Sequence, residues 1–165
     1  MNVFIDTEFT SLSDPRLLSI GAVASESRYF YGVVDDVPRS VCSPFVVEFV
    51  LPLLEARQPD VRDTHDAVAR AFAAWLEALP DASARNALLV DDECDRELLR
   101  RLFHAAGWRD GAVPECHLLP LANGTREASA FRDWFTADSG RHRHNALDDS
   151  FAQGHLHHAP GTDAA

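Results

Sequence analysis

Asn2-Val3-Phe4-Ile5-Asp6-Thr7-Glu8-Phe9 opens the chain with a short apolar run, rich in β-branched and aromatic residues, that ends among two acids. That composition over so few positions reads as a buried strand. Strand side chains alternate faces with a period of two, so Asp6 and Glu8 point the same way with Cα atoms ~6.5 to 7 Å apart. Two carboxylates crowded into one volume repel, and they stay charged only with positive charge between them. A divalent cation meets that need, and a pair of Mg²⁺ or Mn²⁺ ions ~3.5 to 4 Å apart fits the span. Asp-x-Glu alone also ends ordinary strands in solvent, so the rest of the chain has to supply the other acids.

At 165 residues the chain is long enough for one domain, burying roughly 70% of its unfolded surface in a single core. Residues 1–158 are read as that domain and 159–165, small and polar, as a fraying tail. Cys42, Cys94 and Cys116 are widely spaced and odd in number, which suits reduced thiols and a cytoplasmic setting. The sequence shows neither a basic n-region followed by an apolar h-region nor a run of apolar residues long enough to span a bilayer, so no membrane partner is expected. The formal charge is −11 and every basic residue is Arg. An acidic surface disfavours gripping long nucleic acid by an extended basic stripe. The lack of Lys removes Schiff-base and phosphate-loop lysine chemistry.

Beyond the first strand, Leu17–Ala24 and Arg28–Val34 read as strands joined by Ser25-Glu26-Ser27, giving an antiparallel meander. Ser43-Pro44 is an N-cap and N1 pair opening a helix through Phe45, Phe49 and Val50 that Pro52 ends. A longer helix is expected from about Asp63 to Leu79, with Val61, His65, Val68, Phe72, Trp75, Leu76 and Leu79 at helical spacing. Asn86–Val90 is a strand covered on both faces. In the following helix Asp95 lies one turn before Leu98 and Leu99, on the inward row, where a carboxylate is costly without a partner. Asp92 serves as an N-cap and Asp91 reads as solvated. Glu115–Leu119 is a short strand. Thr125 caps a helix burying Ala128, Phe131, Trp134 and Phe135. Asn145 with Asp148 resembles a capping box for a last helix to about His157, which carries Asp149 and leaves His144 just before the cap.

Taken together, Asp6 and Glu8 in Phe4-Ile5-Asp6-Thr7-Glu8-Phe9, an acid in a strand-to-helix turn, and a late His144-x-x-x-x-Asp149 resemble the DEDD-h superfamily of 3′–5′ exonucleases. That group includes RNase T, oligoribonuclease and the proofreading subunits of DNA polymerases. Ile20-Gly21-Ala22-Val23, Leu51-Pro52-Leu53 and the short length are similar to a small bacterial 3′–5′ exoribonuclease subfamily. At the middle motif relatives commonly carry Asn and then Phe-Asp or Tyr-Asp, where this chain has Asp92-Glu93-Cys94-Asp95; Asp95 takes the acid's place and Asp92 stands in reserve.

The resemblance implies an α/β ribonuclease H-like fold: a mixed five-stranded sheet, its first three strands antiparallel, with helices on both faces. It implies a two-metal mechanism in which Asp6, Glu8, Asp95 and Asp149 hold two divalent cations, Mg²⁺ or Mn²⁺, and His144 is the general base. Substrate contacts fall to Thr7, Phe9 and Arg143, with Arg141 also flanking the base. The expected substrate is the 3′ end of short single-stranded RNA or DNA, RNA favoured, released as nucleoside 5′-monophosphates, and relatives are often homodimers. Two alternatives stay open. One is another ribonuclease H-like nuclease, an endonuclease or resolvase; the other is a non-enzymatic metal- or phosphate-binding α/β domain, and for the metal-binding form His142, His144, His155, His157 and His158 would be the donors.

Overall fold

A computed structural model describes residues 1–80, 87–109, 112–119, 130, 133–138 and 140–158. The strands are β1 (Asn2–Phe9), β2 (Leu17–Ser25), β3 (Arg28–Val34), β4 (Val61–Asp63), β5 (Ala87–Val90) and β6 (Cys116–Leu118), and the long helices are α1 (His65–Glu77), α2 (Glu93–Ala105) and α3 (Ala146–His158). They build a mixed sheet in the order β4-β3-β2-β1-β5-β6. The first three strands form the expected antiparallel meander, while β1–β5, β5–β6 and β3–β4 pair in parallel.

Both faces are covered, and the alternation of β1 assigns them. Val3 and Ile5 join Val68, Phe72, Leu99 and Phe103 in the core under α1 and α2. On the opposite face Val23, Tyr31 and Val33 pack with Val46, Val50, Leu54, Ala146 and Leu147, and Phe4 meets α3 at Gly154. Asp6 and Glu8 follow Phe4 by period two and so belong to the α3 face. Fully buried side chains such as Phe72 and Phe103 each stabilise the fold by about 1.5 to 3 kcal/mol relative to exposure.

Three departures from the sequence reading have local causes. Among the described residues the sheet has six strands rather than five, because Val61, read as part of the α1 stripe, instead opens β4. Asp60 holds the chain extended there: its backbone N–H donates to Tyr31 O at 2.8 Å and its carboxylate accepts from Tyr31 N at 2.8 Å. The helix begun at Ser43-Pro44 widens into a π turn at Val46–Val50 and tightens into a 3-10 turn at Leu51–Leu53, since Pro52 lacks the N–H that an α-helix would use. Asn145 caps α3 through Asp148 N at 3.4 Å, but Asp148 does not reciprocate, because its carboxylate is held elsewhere. Residues 133–136 are helical as expected, and Trp134 and Phe135 pack on Ala152 and Leu156 of α3. Thr125, Ala128, Phe131 and the tail 159–165 lie outside the described residues.

Candidate active site

Three segments bring four acids to the C-terminal end of β1. Asp6 and Glu8 come from β1 itself, Asp95 from the first turn of α2 and Asp149 from the first turn of α3. Asp6, Glu8 and Asp149 form one group whose ligand oxygens all lie within 4.8 Å of one another. Asp6, Asp91 and Asp95 form a second group within the same 4.8 Å limit. Asp6 belongs to both. Asp95 and Asp149 are buried, at 3% and 7% exposure.

Close packing is what lets α3 deliver Asp149. Gly21 of β2 pairs with Asp6 across the ladder, and a Cβ on Gly21 would fall 2.2 Å from the Ala146 carbonyl oxygen. The Ser150 hydroxyl fastens the same contact by donating to Gly21 O at 3.0 Å and to Ala146 O at 2.8 Å. Gln153, one turn further along α3, donates to Asp6 Oδ1 at 3.4 Å. On the other side of the sheet the Thr7 hydroxyl donates to Asp95 Oδ1, so this buried side chain steers a carboxylate. Asp92 is spent as the α2 cap, accepting from Cys94 N at 2.7 Å, and so stands outside both acid groups.

Burial and mutual repulsion set the protonation of these groups. Asp6 is pushed well above the carboxylate range, first by burial and then by Asp149 and Asp95. Burial pushes Glu8 and Asp95 up to about 8 and Asp149 to about 7. Asp91 is raised too, again chiefly by burial. Opposing this, the His144 backbone N–H donates to Asp149 Oδ2 at 2.8 Å, and the Arg143 charge lowers Glu8 and Asp149. A cluster raised so far by burial and then by its own neighbours is one whose ionised form needs cations. Hard oxygen donors, grouped in two overlapping sets that share one carboxylate, suit a pair of Mg²⁺ or Mn²⁺ ions.

His144 lies at the edge of this cluster in a left-handed backbone conformation, φ +68°, which few non-glycine residues adopt. Its ring meets Phe45 edge-on at 5.2 Å. Partial burial, then the Arg143 charge, lower its pKa, which favours the neutral imidazole. Arg141, the other flanking arginine, is occupied: its guanidinium lies 4.1 Å over the Trp134 ring and donates to Trp134 O at 2.7 Å. Phe9 is half-buried against the core on the α1 and α2 side.

The sequence reading missed Asp91. Its signal was register: β5 pairs with β1 as Val3↔Leu88 and Phe4↔Leu89, and continuing that ladder by two residues sets Asp91 beside Asp6. Phe45 and Phe49 were also read only as helix positions, yet they are 50% and 48% exposed with ring centroids 5.1 Å apart.

Comparison with family models finds no match, and comparison with curated proteins finds none either. Among solved structures, the chain is similar to the crystal structure of cell-death related nuclease 4 (CRN-4), with a TM-score of 0.57 and 18% sequence identity. The alignment covers 94% of this chain and 61% of that one, so this chain spans about three fifths of that nuclease's length. At this identity the likeness is one of fold, and the fold is α/β and ribonuclease H-like.

Proposed function

We propose that this protein is a metal-dependent 3′–5′ exonuclease that shortens single-stranded nucleic acid, RNA favoured, and releases nucleoside 5′-monophosphates. The observation that carries this reading is the pair of overlapping acid groups, Asp6-Glu8-Asp149 and Asp6-Asp91-Asp95, with His144 bonded to Asp149 through its backbone. The similarity to a nuclease of the same fold supports it.

In this proposal Asp6, Glu8, Asp95 and Asp149 hold two divalent ions, with Asp91 as a fifth acid beside Asp6 and Asp95. When bound, the ions supply an activated water and neutralise charge on the leaving oxygen. The protein's own groups do the rest. His144, whose neutral form burial favours, takes the proton from the attacking water. Arg143 puts positive charge beside an otherwise negative cluster and meets the phosphate. The exposed Phe45 ring, beside His144, and the Phe49 ring beyond it offer faces on which bases of a single strand stack, at ~1 to 3 kcal/mol per base.

The test is a time course of 5′-labelled oligo-RNA and oligo-DNA with Mn²⁺, Mg²⁺ or EDTA. Stepwise shortening from the 3′ end that needs a metal, stalls at a 3′-phosphate and disappears in folded Asp6→Ala and Asp149→Ala supports the reading. Internal cleavage at early times would instead favour an endonuclease, and wild-type turnover by either variant would remove the site assignment. His144→Ala should lose ~10² to 10⁴ in rate while still binding Mn²⁺.

A further inference from the structure

The loop that presents His144 is held from outside the acid cluster. Asp148, next to Asp149 but directed away from the metal groups, is fully buried. Its Oδ2 accepts the His142 backbone N–H at 2.8 Å, just as Asp149 Oδ2 accepts that of His144 at 2.8 Å. Adjacent acids at the start of α3 thus grip the loop at alternate peptide groups. The other oxygen of Asp148 accepts from Arg57 Nε at 2.9 Å and Arg57 Nη2 at 2.6 Å.

The same short segment that carries Arg57 holds the loop a second time. Asn145, fully buried, donates through Nδ2 to Leu53 O at 2.9 Å and to the Tyr31 hydroxyl at 3.1 Å. The Tyr31 hydroxyl in turn donates to Leu54 O at 3.2 Å. Residues 53–57, which run on from the last residue of the 3-10 turn, therefore bracket His142 to Asp148, and the charged contact of this bracket among the described residues is Arg57 with Asp148.

We infer that Arg57 is a positioning residue for His144: by neutralising buried Asp148 it keeps that carboxylate turned inward on the His142 amide and so fixes the left-handed His144 over Asp149. A buried carboxylate that loses its partner is left as an uncompensated charge, and the side chain turns toward solvent. That turn releases the His142 amide and lets the loop relax out of its uncommon backbone conformation. A displacement of about 1 Å at a reacting group is enough to lose ~10²-fold in rate.

This inference rests on the reading of His144 as the general base, and its test has one arm that does not. In the activity arm, Arg57→Met should lower kcat by about 10- to 100-fold with KM within about twofold. The same change made in a His144→Ala background should cost less than about twofold, because the group it positions is already gone. Arg57→Lys, which keeps the charge without the paired donors, should fall between. In the structural arm, the His144 ring resonances, assigned by comparison with His144→Gln, should carry a shift from the edge-on Phe45 ring that is lost in Arg57→Met. The double variant Arg57→Met/Asp148→Leu leaves neither an unpaired buried charge nor an acceptor for the His142 amide, so it guards against simple misfolding and should show the same loss of shift. A wild-type His144 spectrum in the folded single or double variant overturns the inference whether or not the protein cleaves nucleic acid. If wild type proves inactive but the shift is lost, the positioning stands and the exonuclease reading alone fails.

Discussion

Gly21 sits directly across the β1–β2 ladder from Asp6, and the space its missing side chain leaves is filled by the Ala146 carbonyl at the start of α3. One glycine thereby sets how closely the Asp149 helix approaches the Asp6 strand. Gly21→Ala would place a Cβ 2.2 Å from that backbone oxygen, which neither element can absorb without shifting. Overpacking of this kind costs about 1 to 3 kcal/mol or more, so Tm should fall by several degrees and Mn²⁺ affinity should fall with it. Thermal melts and metal titration of the variant check both, and a variant with wild-type metal affinity would show that α3 does not depend on this contact.

The acid cluster makes metal-free stability depend on pH in a defined direction. Burial raises Glu8 and Asp95 to about 8 and Asp149 to about 7 in the folded state, and raises Asp6 well above its usual range, against the ~4 of an unfolded carboxylate. The folded state therefore binds more protons than the unfolded one across that window. Their contribution to stability is fully present below about pH 4 and is lost as pH rises to about 8. In EDTA, Tm should decline from pH 5 to pH 8, and added Mn²⁺ should raise it more at pH 8 than at pH 5. A Mn²⁺ effect of equal size at both pH values would contradict ion binding at these acids.

Asp91 offers a direct test of the second acid group. Asp91→Asn removes one of the charges that raise Asp6 and Asp95 while keeping size and polarity. Metal-free protein should melt higher than wild type, whereas Mn²⁺ affinity should weaken by ~10- to 100-fold, the range seen when groups supporting metal ligands are lost. Calorimetry in EDTA and with Mn²⁺ gives both numbers, and a gain without the matching loss would leave Asp91 a bystander.

Phe49 separates substrate contact from chemistry. Its ring is half exposed and touches Phe45 rather than His144. Phe49→Ala should leave Tm nearly unchanged and kcat within a few fold, while raising KM for oligonucleotides by about 5-fold or more, the equivalent of one lost base stack of ~1 kcal/mol or more. Steady-state kinetics on short single strands decide this, and an unchanged KM would place the strand elsewhere.

By itself the sequence determined the meander, the helix faces and the identity of most of the acids. Those features follow from period-two and period-3.6 patterns and from caps, which act over a few residues. Asp95 was legible because its inward row made an unpartnered carboxylate implausible, and the structure supplies Thr7 and Asp6 as the partners. Only the tertiary structure decided that Asp91 stands beside Asp6, since that depends on the register of two strands far apart in the chain. It also decided that Val61 leaves the helix for the sheet, through the hold of Asp60 on Tyr31. The bracket from Arg57 to Asp148 spans 91 positions; pairings over such separations are fixed by how packed layers meet, which no local pattern records.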